Sequence, residues 1–341
     1  GLKSLEPNHE MQKMAASWKK LPDDVQQKIF DFTPLKAKIP ESFPAEALEF
    51  HRQYQSFLQK YGYLSMNGTD FSITPWIENS GIISHAIQRF STNTPTSDPE
   101  IIRRQRKSAQ KQIEMSLHGM AKLFFPLLLK STKRYIALRE KLSLFISEDA
   151  YQMRRIYLRM GEYLVTTDKL NAKNDVFYLY YPELLEILQD KTESTVLRKK
   201  ISLRKKNLAE DSQIKPEDLI CHTSMPGREV AELSYLEGIA GSSGSRKGIA
   251  RIVRNPADIG KNLTKEDILI VPFIDVGWTP LFPGIGGLVT EVGGQLSHSA
   301  IIAREYGLPA LLSVKNATHL IREGQTVFLD ADNGRVYLHV N

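Results

Sequence analysis

The chain has 341 residues, of which 41% are apolar and 25% charged, and its formal net charge is +6. This length allows two domains, each with its own core, while no apolar run reaches the ~18 residues that a membrane span needs. The single cysteine, Cys221, excludes an internal disulfide and a zinc site built from cysteines.

Charge and histidine placement narrow the function classes further. The eight histidines are scattered without metal-ligand spacing, so no metal site is predicted. The polar start lacks a signal-peptide core, and we expect a cytoplasmic protein that does not act at a membrane. Two basic runs, 101–111 and 197–206, contain no interleaved aromatic residues. We therefore expect a solvated helix face, or a surface for an acidic partner, rather than a nucleic-acid site.

Residues 1–220 follow a helical pattern. After Pro44, which suits a first helical turn, apolar side chains recur every three or four residues. The same period continues in 112–142, where Pro126 predicts a kink or break. A third helical block, 148–165, precedes a predicted loop at Asn171–Asn174. We predict a helical bundle with one irregular insert at 61–79.

The pattern changes after residue 220. Gly and Ser enrichment in 221–245 indicates a linker, 221–235, followed by a tight turn. Short β-type runs then alternate with one clear helix, SHSAIIAREYG, and an Asp-Asn-Gly hairpin turn lies near the end. The predicted fold class is therefore two-domain: a mainly α-helical domain, 1–220, followed by a compact α/β domain, 236–341.

The chemistry is concentrated between a buried strand, GLVTEV, and that helix. Ser297 is a natural helix N-cap, which puts His298 in the first turn, where the helix dipole favours anions and a neutral imidazole. Neutral imidazole is the nucleophilic form, so His298 is the candidate catalytic residue, and a phosphoryl group that it gained would lie where the helix end stabilises anions. The candidate phosphate-stabilising residues around it are Thr290, Gly293, Gly294, Ser297, Ser299 and Arg304.

Two alternatives remain open at this loop. His298 alone would also fit an ordinary first-turn residue whose ring is satisfied by a neighbour. Arg304 is nearly two turns after His298 and either faces the phosphate or anchors the helix.

The Gly-Gly, Ser-His, Ala-Ile-Ile-Ala-Arg and Gly-Leu-Pro-Ala elements, in this order within 293–310, resemble the swivelling phosphohistidine domain of the phosphoenolpyruvate-utilising enzymes. The resemblance extends through most of 236–341 and is closest to the rifampicin phosphotransferase and phosphoenolpyruvate synthase branch. Many relatives have Thr two residues before the histidine, where this chain has Leu296.

A further resemblance, to the helical substrate-binding domain of that branch, covers 57–76 and 157–184. The family pattern Tyr-Gly-His-Arg-Gly-Pro-Gly-Glu-Ile-Asp is changed here, because Tyr63 and Leu64 stand in the His and Arg places and Gly68 in the Glu place. Rifamycin is therefore a doubtful substrate. The residues that this resemblance makes candidates for binding substrate are Tyr63, Asp70, Phe71 and Trp76. For each aromatic residue among them, an ordinary core position is the alternative.

The resemblance implies a relay in which an ATP-grasp domain phosphorylates the histidine and the carrier swivels to an acceptor. No Gly-rich phosphate loop occurs in this sequence, so we expect an ATP-grasp partner or missing domain to hold ATP and Mg²⁺, and the chain alone to bind neither. The leading hypothesis is part of a dikinase-like phosphotransferase acting on a small molecule. The alternative is a non-catalytic docking or regulatory module. A phosphocarrier of the sugar phosphotransferase type would need a barrel that this pattern lacks.

Overall fold

The computed structural model of the chain describes residues 3–32, 39–40, 42–79, 81–92, 99–211, 234–254 and 263–338. The part before residue 212 is helical, as predicted. Its α-helices are α1 (Glu6–Trp18), α2 (Asp23–Lys28), α3 (Ala45–Tyr61), α4 (Gly81–Thr92), α5 (Pro99–Ser116), α6 (Gly119–Thr166), α7 (Tyr181–Leu188) and α8 (Ser194–Asp211).

Helix α3 shows why the apolar period predicts this region well. Pro44 is its N-cap, and the helix buries the residues that recur at helical spacing, from Ala47 to Tyr61. A proline suits this position because its missing N–H would have no partner in the first turn. Between α3 and α4 the predicted irregular insert is closed by backbone hydrogen bonds from Trp76 to Leu64 and from Ile77 to Gly62.

Helix α6 corrects two expectations. It continues through Pro126, where a kink or break was expected, and it includes the block 148–165 that was expected to be a separate helix. The proline costs one hydrogen bond, to the residue four positions earlier, and the strong helix formers around it offset this. The helical conformation is interrupted instead just before Gly119, whose φ is +56°. The predicted loop at Asn171–Asn174 is also shorter, because a 3₁₀ helix begins at Lys173.

The C-terminal part is a mixed sheet. Its strands are β1 (Tyr235–Glu237), β2 (Ile239–Ser242), β3 (Ser245–Ile252), β4 (Asp267–Val271), β5 (Gly287–Thr290), β6 (Ala310–Leu312), β7 (Thr326–Asp330) and β8 (Arg335–Tyr337). Their order is β1-β8-β7-β3-β4-β5-β6-β2. Strands β3 to β6 are parallel neighbours, and the outer pairs are antiparallel.

Among the described residues of this part, two α-helices and a hairpin accompany the other strands. Helices α9 (His298–Tyr306) and α10 (Ala317–Leu320) follow β5 and β6. The predicted hairpin turn between β7 and β8 is confirmed, with Gly334 at φ +70°. One expectation needs correction: part of the Gly/Ser-rich stretch expected to form a tight turn is strand β2, which pairs with β6.

Strand β4 is buried on both faces, as central parallel strands usually are. Leu269 and Val271 face a core shared with the helices of residues 1–92, whereas Ile268 and Ile270 face a second core. The 3₁₀ segment Val276–Gly284, between β4 and β5, is entirely buried. It contributes Trp278 and Phe282 to the shared core.

The chain divides into two compact units, one formed by 1–148 with 232–341 and the other by 149–231. These units are defined by how closely their residues pack and do not test the domain boundaries at 1–220 and 236–341, which stay a prediction. Residues 221–233 of the predicted linker, with Cys221, lie outside the described residues. Within the described residues, no helix has the length and apolar character needed to cross a membrane.

Candidate active site

The backbone around His298 is fixed by its helix ends. The Ser297 side chain accepts a hydrogen bond from the Ala300 N–H at 3.3 Å and caps α9. At the other end Gly307 adopts a left-handed conformation, φ 59°, that closes the helix. Both features agree with the sequence pattern, and they place His298 as the first residue of α9, in the turn whose first N–H groups have no carbonyl partner within the helix.

The loop before the helix needs a glycine at Gly293. Its φ is +128°, and a Cβ there would lie 3.2 Å from the Ser297 hydroxyl oxygen. The Gly293 carbonyl accepts a hydrogen bond from the Ser313 hydroxyl at 2.7 Å. At Gly294 a Cβ would meet nothing within 4 Å. The loop is therefore closely packed at Gly293 and has free space at Gly294.

His298 pairs with a residue that the sequence pattern did not indicate. Its Nδ1 lies 3.3 Å from Oε2 of Glu140, a residue of α6. The other carboxylate oxygen of Glu140 accepts from Arg139 at 2.9 Å, and the Glu140 side chain is only 4% exposed. A buried carboxylate facing Nδ1 favours the tautomer with a proton on that nitrogen. Nε2 then keeps its lone pair.

The Nε2 atom has a different environment. It is buried, and it has no hydrogen-bond partner among the described residues. The whole imidazole is 12% exposed. His298 thus has one nitrogen held by a carboxylate and one nitrogen without a hydrogen-bond partner among the described residues, whose lone pair can act as a nucleophile once a substrate reaches it.

The other candidate phosphate-stabilising residues have structural partners in this arrangement. Thr290 is fully buried and donates to the Val292 carbonyl at 2.8 Å. The hydroxyls of Ser297 and Ser299 lie 2.8 Å apart. Arg304 donates from Nε to the Gly241 carbonyl at 2.7 Å and from its guanidinium to the Gln295 carbonyl. Of the two alternatives for Arg304, this geometry fits the anchoring one, and burial lowers its pKa.

The four substrate-binding candidates differ in burial and do not form one common surface. Trp76 has no exposed area and stacks on Phe57, so the core alternative fits it better. Tyr63 is half-buried, and burial raises its pKa to about 12. Phe71 is half-buried as well, whereas Asp70 is exposed and accepts hydrogen bonds from Ser72. A role for these residues in binding substrate stays a prediction.

Glu140 is a functional candidate that sequence reasoning missed. It lies in a charged helical stretch, Arg139–Lys141, where most side chains are solvated. Only its burial against His298, 158 positions away, distinguishes it from its neighbours. No metal site accompanies the pair: among the described residues, no group of three or more His, Cys, Asp or Glu side chains could hold a metal ion.

Comparison with known families identifies two matching regions in the chain. Residues 263–334 match the mobile domain of the PEP-utilising enzymes, and residues 1–140 match the fourth domain of rifampicin phosphotransferase. The chain therefore contains a mobile domain of the phosphoenolpyruvate-utilising enzyme family, joined to a helical region of the rifampicin phosphotransferase type. His298 lies in the first matched region, and Glu140 is the last residue of the second.

Individual relatives support the same grouping. The chain is 32% identical to the rifampicin phosphotransferase of Bacillus cereus over 299 residues, which is 82% of this chain and 33% of the relative. It is 44% identical to the prodigiosin-synthesising transferase of Serratia marcescens over 103 residues, 30% of this chain and 12% of that protein. The phosphoenolpyruvate synthase of Aeropyrum pernix is 30% identical over 161 residues, 47% of this chain and 18% of the relative. The chain thus spans about a third of the length of the relatives that it matches most extensively.

Proposed function

We propose that this chain forms the carrier and acceptor side of an ATP-dependent, dikinase-type phosphotransferase. At an ATP-grasp domain, His298 receives on Nε2 the β-phosphoryl group of ATP, while AMP leaves and water takes the γ-phosphoryl group as inorganic phosphate. His298 then delivers its phosphoryl group to a small molecule bound by the helical region. ATP and Mg²⁺ belong to the ATP-grasp part. The observation that carries the proposal is the pairing of His298 Nδ1 with the buried carboxylate of Glu140.

The pairing supports nucleophilic catalysis in two ways. First, Glu140 holds the ring with Nδ1 protonated, so that the Nε2 lone pair is available. Second, forming the Nε2–P bond makes the ring cationic, and the carboxylate offsets that charge in a low-dielectric setting. Glu140 is thus a positioning residue that also stabilises the phosphorylated ring.

Transfer of the phosphoryl group from His298 to the acceptor needs no further reactant. The Nε2–P bond breaks and its electron pair returns to Nε2, while an acceptor hydroxyl oxygen forms the new P–O bond and loses its proton to solvent. Such transfer depends on in-line positioning and charge stabilisation more than on covalent help from the protein. The start of α9, with its N–H groups and the positive end of the helix dipole, is suited to the phosphoryl oxygens.

The second candidate is a non-catalytic docking module. It is favoured by the burial of Nε2 and by the structural partners of Thr290, Ser299 and Arg304. It is opposed by the Glu140 pairing, because a docking surface has no need of a buried carboxylate that orients an imidazole.

One labelling experiment separates the two candidates. The chain is incubated with Mg²⁺, ATP labelled at the β-phosphate and the ATP-grasp protein proposed as its partner. We expect label that is acid-labile and base-stable, lost in His298→Ala and retained in His319→Ala, a matched histidine on α10. Label that survives His298→Ala would exclude the carrier role. Absence of label in the wild-type chain with an ATP-grasp protein active on a control carrier would favour the docking module.

A further inference from the structure

Two segments far apart in sequence are joined by buried polar contacts, and we call them together the latch. One is Ser65–Gly68, in the irregular insert, and the other is Asp275–Trp278, at the start of the buried 3₁₀ segment. The Gly68 N–H donates to Asp275 Oδ2 at 2.8 Å, while Asp275 Oδ1 accepts from the Val276 N–H at 2.7 Å. The Trp278 indole N–H donates to the Met66 carbonyl at 2.8 Å. One carboxylate therefore caps its own segment and binds the other.

A glycine in each segment allows a close approach, of Gly277 to backbone and of Gly68 to the side chain of Ser147 on α6. A Cβ on Gly277 would lie 1.9 Å from the Ser65 carbonyl oxygen, and a Cβ on Gly68 would lie 2.1 Å from the Ser147 hydroxyl oxygen. Neither glycine has a positive φ, so the close approach, not the backbone conformation, requires them. Gly68 stands where the family pattern has Glu. A Cβ there would also lie 3.1 Å from Asp275 Oδ2, so a larger side chain would displace the Ser147 hydroxyl and crowd the Asp275 carboxylate.

The latch and the His298 pair share one helix. Ser147 and Glu140 are seven residues apart on α6, which places them about 10 Å apart on the same face. Ser147 packs against the latch and Glu140 holds His298. In this latched arrangement Nε2 of His298 is buried. Because a phosphoryl donor must reach Nε2, this buried arrangement must change before the histidine is phosphorylated.

We propose that the latch is a docking device that holds the mobile domain against the acceptor side and shields His298 until it releases. The inference rests on the proposed function for its role in a relay. Its residues are positioning residues, acting on His298 only through the arrangement of the two parts. Weakening the latch is expected to expose Nε2 without unfolding either part.

The probe is the rate at which diethylpyrocarbonate modifies individual histidines of the full chain, read by peptide mass spectrometry. Trp278→Phe removes the indole N–H and its hydrogen bond together with part of the ring volume, and we expect His298 to react about threefold to tenfold faster. Trp18→Phe is the matched control, because the Trp18 indole N–H has no hydrogen-bond partner among the described residues. Its His298 rate is expected to equal that of the wild type.

Gly277→Ala tests the close approach, with Gly81→Ala as its control, since a Cβ at Gly81 would meet its nearest neighbour at 3.5 Å. His51, buried in α3, reports on folding. We expect Gly277→Ala to speed modification of His298 and not of His51.

Unchanged His298 rates in both latch variants, or equal acceleration at His51 and His298, would overturn the latch. Neither outcome involves ATP, so a failed latch and a failed phosphohistidine assay remain separate results.

Discussion

At the scale of single residues, the two nitrogens of His298 have different neighbours. Its position at the start of α9 follows from Ser297, Gly293 and Gly307, which are local features that the sequence displays. Its partner Glu140 could not be predicted, because a pair separated by 158 positions depends on tertiary packing. The local half of the site was therefore predictable and the long-range half was not.

Glu140→Gln tests the tautomer directly. We expect part of the His298 population to move its proton to Nε2, because a neutral amide holds the Nδ1 proton less strongly than a carboxylate. Phosphorylation should be about tenfold to hundredfold slower, as expected from the loss of a charged hydrogen bond. The measurement is the ¹⁵N chemical shift of both ring nitrogens, with Glu148→Gln, an exposed carboxylate of the same helix, as control. An unchanged tautomer and rate would remove Glu140 from the site.

Gly293→Ala tests the loop geometry. Alanine tolerates a φ of +128° poorly, and its Cβ would crowd the Ser297 hydroxyl at 3.2 Å. We expect a loss of about 1–3 kcal/mol in the free energy of unfolding. Gly294→Ala, with open space around its Cβ, should change that free energy by less than about 0.5 kcal/mol. Equal losses in denaturant titrations of the two variants would contradict this description of the loop.

At the scale of elements, helical spacing and strand composition predicted α3, α9 and the β7–β8 hairpin because each has local end signals. They did not predict α6 as a single helix. Pro126 indicates a kink or break, but its neighbours favour helix, whereas the actual interruption, before Gly119, has a weaker sequence signal. The edge strand β2 was missed for a similar reason, since its Gly and Ser residues resemble those of a turn.

Helices α7 and α8 are joined by a charge cluster with a defined pH dependence. Arg204 binds both oxygens of Glu183, and with the Tyr180 N–H and Lys200 it lowers the pKa of that carboxyl to about 2. Because the folded-state pKa lies below the unfolded value of about 4.3, the stabilisation is complete above that value. It is lost as pH falls towards 2.

Glu183→Gln should therefore lower the thermal stability of the unit 149–231 at pH 7, and the difference from wild type should shrink between about pH 4.5 and 2. Circular dichroism melting curves across this range give the comparison. Glu193→Gln, an exposed glutamate before α8, should differ little from wild type at any pH. A Glu183→Gln deficit that stays constant down to pH 2 would contradict the assigned pKa.

At the scale of the whole molecule, the division into a helical region and a mixed sheet was predictable from the change of period near residue 221. The shared core was not, since it depends on which apolar faces meet. The helices of residues 1–92 pack with Trp278, Phe282 and Leu288 in one cluster. In this core, side chains of the region that matches the mobile domain of the PEP-utilising enzymes pack against helices of the region that matches the fourth domain of rifampicin phosphotransferase. The proposed relay accounts for this contact and for the Glu140 pair.

The central claim concerns one atom, Nε2 of His298. The most direct measurement is nitrogen–phosphorus coupling by NMR on the ¹⁵N-histidine-labelled chain after incubation with ATP, Mg²⁺ and the ATP-grasp partner. We predict one phosphohistidine, at His298, with phosphorus bonded to Nε2 and the proton on Nδ1. Phosphorus bonded to Nδ1, to another histidine or to no histidine would contradict the relay.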